Sequence, residues 1–299
     1  MLLNMLRFGP SGNDTLFYQQ GFKSTVQAPA WVSAMGLNAF EYSFGRGIRM
    51  SEATAKAIGE EATKHGVLVS AHAPYYINLA KEWEKSLVYI EKSLNLLKLM
   101  GGRNLVVHVG SQGELDRATA IENCKKNLKK VLEKLDGDFR ICIETMGRYS
   151  AIGNHIEICD ICSIDPRVVP TLDFGHMNCL AQGGLSCHPE LVEGSRPCRQ
   201  SLDPSAQLGM TGEIMDYCMQ HLPREKMQNV HIHFSAIKFG AKGELGHLDF
   251  ADAPKIFLPL FEPLAKYIKA KNLTPTIICE SSNTMAQDAA TLKKAFAKF

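Results

Sequence analysis

No stretch of 18 consecutive apolar residues occurs in the 299-residue chain, so a membrane-spanning helix is not expected. An excess of charge of one sign is lacking too. Lysine and arginine number 33 against 31 aspartates and glutamates, a net charge of +2. That balance excludes a broadly cationic surface, although a local basic groove is compatible with it. Met1 to Pro10 has neither a basic start nor a long apolar core, so no secretory signal is read there. A glycine-rich phosphate loop is missing after the first apolar run, where Gly9-Pro10-Ser11-Gly12 is only a Gly-x-x-Gly turn. The nine cysteines sit among apolar neighbours, as at Cys142 and Cys279, without the pattern of a disulfide framework. A reducing, cytoplasmic setting is expected.

What the chain does have is alternation. Short apolar or β-branched runs at Leu6 to Gly9, Ala39 to Tyr42, Leu68 to His72, Asn104 to His108, Phe139 to Glu144, Val168 to Asp173, Asn229 to Phe234 and Thr276 to Glu280 read as strands covered on both faces. Helical patterns fill the gaps at Ser51 to His65, Glu82 to Met100, Arg117 to Leu135, Leu258 to Ala270 and Thr284 to Phe299. Gly66 is placed to stop the first of these, and Ser281-Ser282-Asn283-Thr284 to cap the last. Eight such units in one chain of this length predict a single-domain α/β (β/α)8 barrel.

Residues 182–207 break the rhythm. They are rich in Gly, Pro and Ser, show no period, and are expected to form a flexible insertion dispensable to the fold. Cys187, His188 and Cys198 within it match no usual metal spacing and are read as loop residues. Cys159-Asp160-Ile161-Cys162 is a formal CxxC, but it lies in a helical segment without a second pair.

The strongest signal is positional. His72, His108, Glu144, Asp173, His233 and Glu280 stand at or next to the ends of predicted strands three to eight, with His176 three residues after Asp173. In a (β/α)8 barrel all of these ends meet at one mouth. One such residue alone is as often a satisfied polar group as a functional one. A set of three carboxylates and several imidazoles is costly to bury without compensating charge, and no arginine or lysine stands at these strand ends. Divalent cations supply that charge and take these N and O donors. Zinc suits the many histidines, while manganese or iron would accept the same shell. Two or three ions are expected, with Glu144 able to bridge a pair. In the glycine-rich stretch after strand seven, Glu244 and His247 are placed to complete a further position with His176. His231 shares a strand face with His233 one layer deeper and is read as a core or supporting residue.

HAPYYINL at 72–79, VVHVGS at 106–111, CIETMG at 142–147, TLDFGH at 171–176, HIHFS at 231–235 and IICES at 277–281 together resemble the endonuclease IV family of apurinic/apyrimidinic endonucleases, within the xylose-isomerase-like barrels. The resemblance spans the chain except for the region near 182–207. It implies three zinc ions and cleavage of the DNA backbone 5′ to an abasic site. It further implies a first ion on His72, His108 and the bridging Glu144, and a second on Glu144, Asp173, His233 and Glu280. A third would use His176 and an Asp-x-His pair, which is missing here and is replaced by Glu244 and His247. Tyr75 matches an aromatic that the family inserts at damaged DNA. The family's first strand and its DNA-probing loop after strand two are not reproduced, since the chain reads RFGPSGND and EYSFGRG there. Arg46 offers a phosphate contact in that loop. These readings predict a monomeric hydrolase with Glu144 and Glu280 as catalytic groups, acting on abasic duplex DNA or on a small phosphorylated or sugar substrate. The rival readings are a metal-dependent sugar isomerase or epimerase and a non-catalytic metal-binding barrel.

Overall fold

The computed structural model describes residues 5–182 and 204–299. Eight parallel strands form the central sheet: β1 (Arg7–Pro10), β2 (Ala39–Ser43), β3 (Leu68–His72), β4 (Asn104–Val107), β5 (Arg140–Glu144), β6 (Val168–Asp173), β7 (His231–His233) and, after an antiparallel hairpin of β8 (Ala236–Gly240) and β9 (Gly243–Leu248), β10 (Thr276–Cys279). Their spatial order is β1-β10-β7-β6-β5-β4-β3-β2. The seam between β1 and β2 is closed by the Asn38 backbone N–H donating to the Phe8 carbonyl at 3.1 Å. The Asn38 side chain accepts in turn from the Phe8 N–H at 2.9 Å. A side chain at Gly9 would stand 1.8 Å from the Ala39 carbonyl oxygen, so only glycine lets the two strands approach this closely. The result is the expected (β/α)8 barrel.

Helices cover the outside and pack against the strands in the larger apolar cluster, which includes Phe40 and Ile232 from strands and Ile58, Leu97 and Leu128 from helices. Inside the barrel the layers follow the period of two along each strand. Val106, Cys142 and Val169 form a small apolar patch there. On the same inward faces, Glu144 lies two residues beyond Cys142 and Asp173 lies four beyond Val169. Apolar packing therefore gives way to acids and imidazoles toward the carboxyl ends of the strands.

Local chemistry explains where the expected elements hold and where they shift. Ser51 accepts from the Thr54 N–H and starts the helix Glu52–His65. The helix expected from Leu258 starts later, at Phe261. Pro259 disfavours the helical region for Leu258, which is extended at φ −100° and ψ 118° after a short 3-10 turn, Lys255–Phe257. The last helix, Met285–Phe296, is not capped by the Thr284 side chain. Asp249 instead accepts from the Asn283 and Thr284 N–H groups at 2.7 and 3.2 Å, and Asp14 accepts from the Ala286 N–H at 3.0 Å.

Of the residues 182–207 read as aperiodic, Gln182 ends the helix Phe174–Gln182, and 204–207 open the helix Pro204–His221. The rest, with Cys187, His188 and Cys198, lie outside the described residues. The seven described cysteines are free and buried. Cys159 of the CxxC lies 3.4 Å from Cys218 of the neighbouring helix, a proximity that CxxC spacing does not show. No helix among the described residues is long and apolar enough to cross a membrane.

Candidate metal centre

At the carboxyl end of the barrel, the strands bring the expected residues together. Glu144, fully buried at the end of β5, is the hub. Its Oε2 lies 2.9 Å from His72 Nε2 and 2.7 Å from His108 Nε2, and its Oε1 lies 2.8 Å from His233 Nδ1. Glu280, just past β10, places Oε2 3.2 Å from the same His233 nitrogen, while its Oε1 accepts from the Ser11 hydroxyl at 3.3 Å. Asp173 ends β6. Its Oδ1 accepts from the His176 backbone N–H at 2.8 Å, which fixes the start of the following helix, and its Oδ2 is buried without a hydrogen-bond partner.

The electrostatics follow from this crowding. Burial disfavours the charged form of Glu144, but the facing His233 and His108 outweigh it and hold the carboxyl well below the usual range. Against the same burial, His233 brings Glu280 down to about 2. For Asp173 burial prevails and the value rises. Among the imidazoles, burial lowers His108. In His72 the bond to Glu144 overcomes burial and raises it. His176 is carried up to about 10 against burial, chiefly by Asp173 and Glu244.

His176 belongs to a second donor group with Glu244 and His247. The sequence suggested a glycine-rich loop here. The structure shows the β8–β9 hairpin, and its irregularity decides the site. Phe239 pairs with Glu244 and Lys238 with Gly246, so Leu245 is an extra residue on β9. In a regular strand, residues three apart point to opposite faces. One bulged residue restores the phase and lets Glu244 and His247 share a side. Gly243 completes the placement: its φ is 93°, and a Cβ there would lie 2.3 Å from the Gly147 carbonyl oxygen. The hairpin can therefore press against the loop after β5, where the Glu244 N–H donates to Gly147 at 2.9 Å. Glu244 Oε2 then stands 3.4 Å from His176 Nε2.

The donor atoms of His72, His108 and Glu144, of Glu144, Asp173, His233 and Glu280, and of His176, Glu244 and His247 lie, within each group, no more than 4.8 Å apart. Each set offers the imidazole and carboxylate donors that divalent cations take. Asp173 Oδ2 fits the same reading: it is buried without a hydrogen-bond partner, and His176 Nδ1, 3.2 Å away, gives its proton to the Thr145 carbonyl instead. The rings are also oriented for it. His72 Nδ1 donates to the Ala73 carbonyl and His176 Nδ1 to the Thr145 carbonyl, both at 2.8 Å, leaving Nε2 of each ring for the cluster.

These groups open onto a cavity of about 650 Å³. Tyr75 forms part of its wall, half exposed, with its ring stacked on His108 at 5.3 Å between centroids. Arg46 is not in this cavity. It lines a smaller hollow of about 320 Å³ with Ser43, Arg49 and Tyr75, so Tyr75 separates it from the donor groups. Arg148, which was not anticipated, stands at the cavity rim with Nε 4.0 Å from Glu244. Glu41 was missed as well. It is completely buried on β2 and faces His231 and His233. The available signal was a lone acid between Phe40 and Tyr42 in an otherwise apolar strand.

The sequence pattern of the family described as Xylose isomerase-like TIM barrel matches residues 29–297. Over 268 residues, 88% of each chain, the protein is 26% identical to an uncharacterised protein of Methanocaldococcus jannaschii. A shorter stretch of 119 residues is 34% identical to a probable endonuclease 4 of Malacoplasma penetrans, covering 37% of this chain and 41% of that one. Among solved structures, a D-tagatose 3-epimerase-like protein is similar in fold, with a TM-score of 0.66 at 17% identity over 98% of this chain and 97% of its own.

Proposed function

The chain belongs to the xylose isomerase-like TIM barrel family, and from that premise we propose that it is a zinc-dependent phosphodiester hydrolase that cleaves DNA 5′ to abasic sites. The observation that carries this reading is the row of three donor groups along one cavity, two of them joined through Glu144. When bound, the ions would make a water more acidic and offset charge on phosphate oxygens. His72, His108 and Glu144 would hold the first ion, Glu144, Asp173, His233 and Glu280 the second, and His176, Glu244 and His247 the third. Glu144 ties the first two groups into one rigid frame through its two oxygens. Glu280 is ionised at neutral pH and lines the cavity, so it would accept a hydrogen bond from a water and orient it. Tyr75 presents a flat face for a base or an abasic sugar, and Arg46 a rim cation for a flanking phosphate. The partial match to a probable endonuclease 4 supports the same reading.

One observation favours a second reading, a metal-dependent sugar isomerase or epimerase. A cavity of about 650 Å³ has the size of a small-molecule site, and it holds two ionised glutamates, Glu144 and Glu280. A single assay separates the two. Protein purified without chelator is analysed for metal and offered an abasic-site duplex, an intact duplex and a panel of ketoses. Three ions with cleavage of the abasic duplex alone is the expected result. Turnover of a ketose with both duplexes left intact would establish the second reading.

A further inference from the structure

Beneath the mouth, one layer down the barrel interior, lies a polar group that no proposed ion touches. Glu41 on β2 is completely buried. Its Oε2 accepts from the Ser70 hydroxyl at 2.9 Å and from His231 Nε2 at 2.8 Å. Its Oε1 lies 3.0 Å from His233 Nε2, an ion-pair distance without hydrogen-bond alignment, and neither atom has a hydrogen-bond partner. His231 and His233 alternate on one strand, so both rings turn inward. β2 and β7 are not neighbours in the sheet, so the carboxylate reaches them across the barrel interior.

We propose that Glu41 and His231 are a positioning pair that fixes His233 with its Nε2 turned inward and its Nδ1 presented to Glu144, Asp173 and Glu280. This rests on the metal reading above and says how one ligand of that site is set. An imidazole bound to one ion must keep its proton on the other nitrogen, and an acceptor behind the ring selects which. His72 and His176 are set by backbone carbonyls behind Nδ1 and present Nε2. His233 is the reverse case: its Nδ1 is the atom 2.8 Å from Glu144, and the acceptor behind Nε2 is a carboxylate. His231 and Ser70 in turn hold that carboxylate.

Glu41, His231 and His233 could be taken instead as a fourth ion site, since their donor atoms are also close together. Two facts favour the positioning role. Glu41 Oε2 already accepts two hydrogen bonds at ordinary distances. His233 has a single lone pair to give as a neutral ligand, and Nδ1 faces the three-carboxylate side.

The test uses the full chain labelled with 15N-histidine and loaded with cadmium-113, together with titration of divalent ions against a chelator. In the wild type, cadmium coupling is expected at Nδ1 of His233, with a proton retained on Nε2. Glu41→Gln should weaken one ion by about 10- to 100-fold, leave the others close to wild type, and lose the single coupling pattern. His231→Gln should do the same more mildly. Glu41→Asp, which keeps the charge, should recover part of the affinity. Coupling at Nε2 in the wild type, or Glu41→Gln binding every ion as tightly as wild type, would overturn the pair's role. A wild type that takes up no divalent ion would overturn the metal reading itself, and is told apart because the unmutated protein fails.

Discussion

The donor groups around Glu144 and the group around His176 share one cavity but are built differently. The first are borne on or next to strands of the barrel, are almost wholly buried, and meet at 2.7 to 2.9 Å around Glu144. The second takes two of its three members from a hairpin, keeps Glu244 and His247 partly exposed, and is looser, with 3.4 Å between His176 and Glu244. The hairpin holds its place by one bulge and one tight glycine contact. A strand in a closed barrel has neighbours on both sides and cannot adjust, whereas a two-stranded ribbon can. The contrast teaches that the outer group is the adjustable part of the centre and should hold its ion less tightly.

The largest effect should come from the hub. Glu144→Gln removes the charge common to two donor groups and is expected to lose both inner ions and cut turnover by at least about 100-fold. Metal analysis and kinetics on the same preparation check it. Retention of all ions would break the distinction between inner and outer groups.

Glu280→Gln keeps the shape at the edge of the inner set but removes its charge. Turnover should fall by about 100-fold with the thermal transition unchanged. Full activity on an abasic duplex would reduce Glu280 to an edge residue of the core.

Inserting one residue between Lys238 and Phe239, opposite Leu245, should act on the outer group alone. With the bulge paired away, Glu244 and His247 stand three apart in a regular strand and fall on opposite faces of β9, so one ion should be lost and two kept, with activity down by about 10-fold. Unchanged metal content would show that the bulge does not set the site.

The smallest effect is on stability against pH. His176 rises from 6.5 to about 10 on folding, so with metals chelated its contribution is fully present below pH 6.5 and fades as pH climbs through 10. Chelated protein should therefore melt progressively lower between those values. Metal-loaded protein should resist the change, because an imidazole serving as a ligand is already deprotonated. Parallel melting curves for the two forms would count against His176 as a ligand.

Much of this was legible because strand ends in a (β/α)8 barrel have only one place to go. Eight apolar runs implied the ring, and the ring placed His72, His108, Glu144, Asp173, His233 and Glu280 together without any knowledge of side-chain geometry. The outer group was less readable. A three-residue spacing between Glu244 and His247 argues against a shared face until the bulge at Leu245 is seen, and a bulge is a pairing property of two strands. Glu41 escaped for a related reason: its partners His231 and His233 are 190 and 192 positions away, and nothing local marks it as anything but an interruption in a strand. The displaced helix start at Phe261 was, by contrast, written in Pro259. The capping of the last helix by Asp249 and Asp14 was not readable, because both come from distant loops.

The closure of the ring has a kinetic side. β1 takes its hydrogen-bonded neighbour from β10, pairing Arg7 with Thr276, so this join is the longest-range strand pairing in the barrel, the kind of contact whose loop closure is slow. Ser11 and Glu280, 269 positions apart, meet on the same join. Glu280 therefore reaches the cavity only through the last strand, which joins β7 on one side and β1 on the other. A chain whose β10 had not docked would hold His72, His108 and Glu144 on neighbouring strands and still lack Glu280, so the four-residue donor group is complete only once the C-terminal end of the sequence has closed the ring.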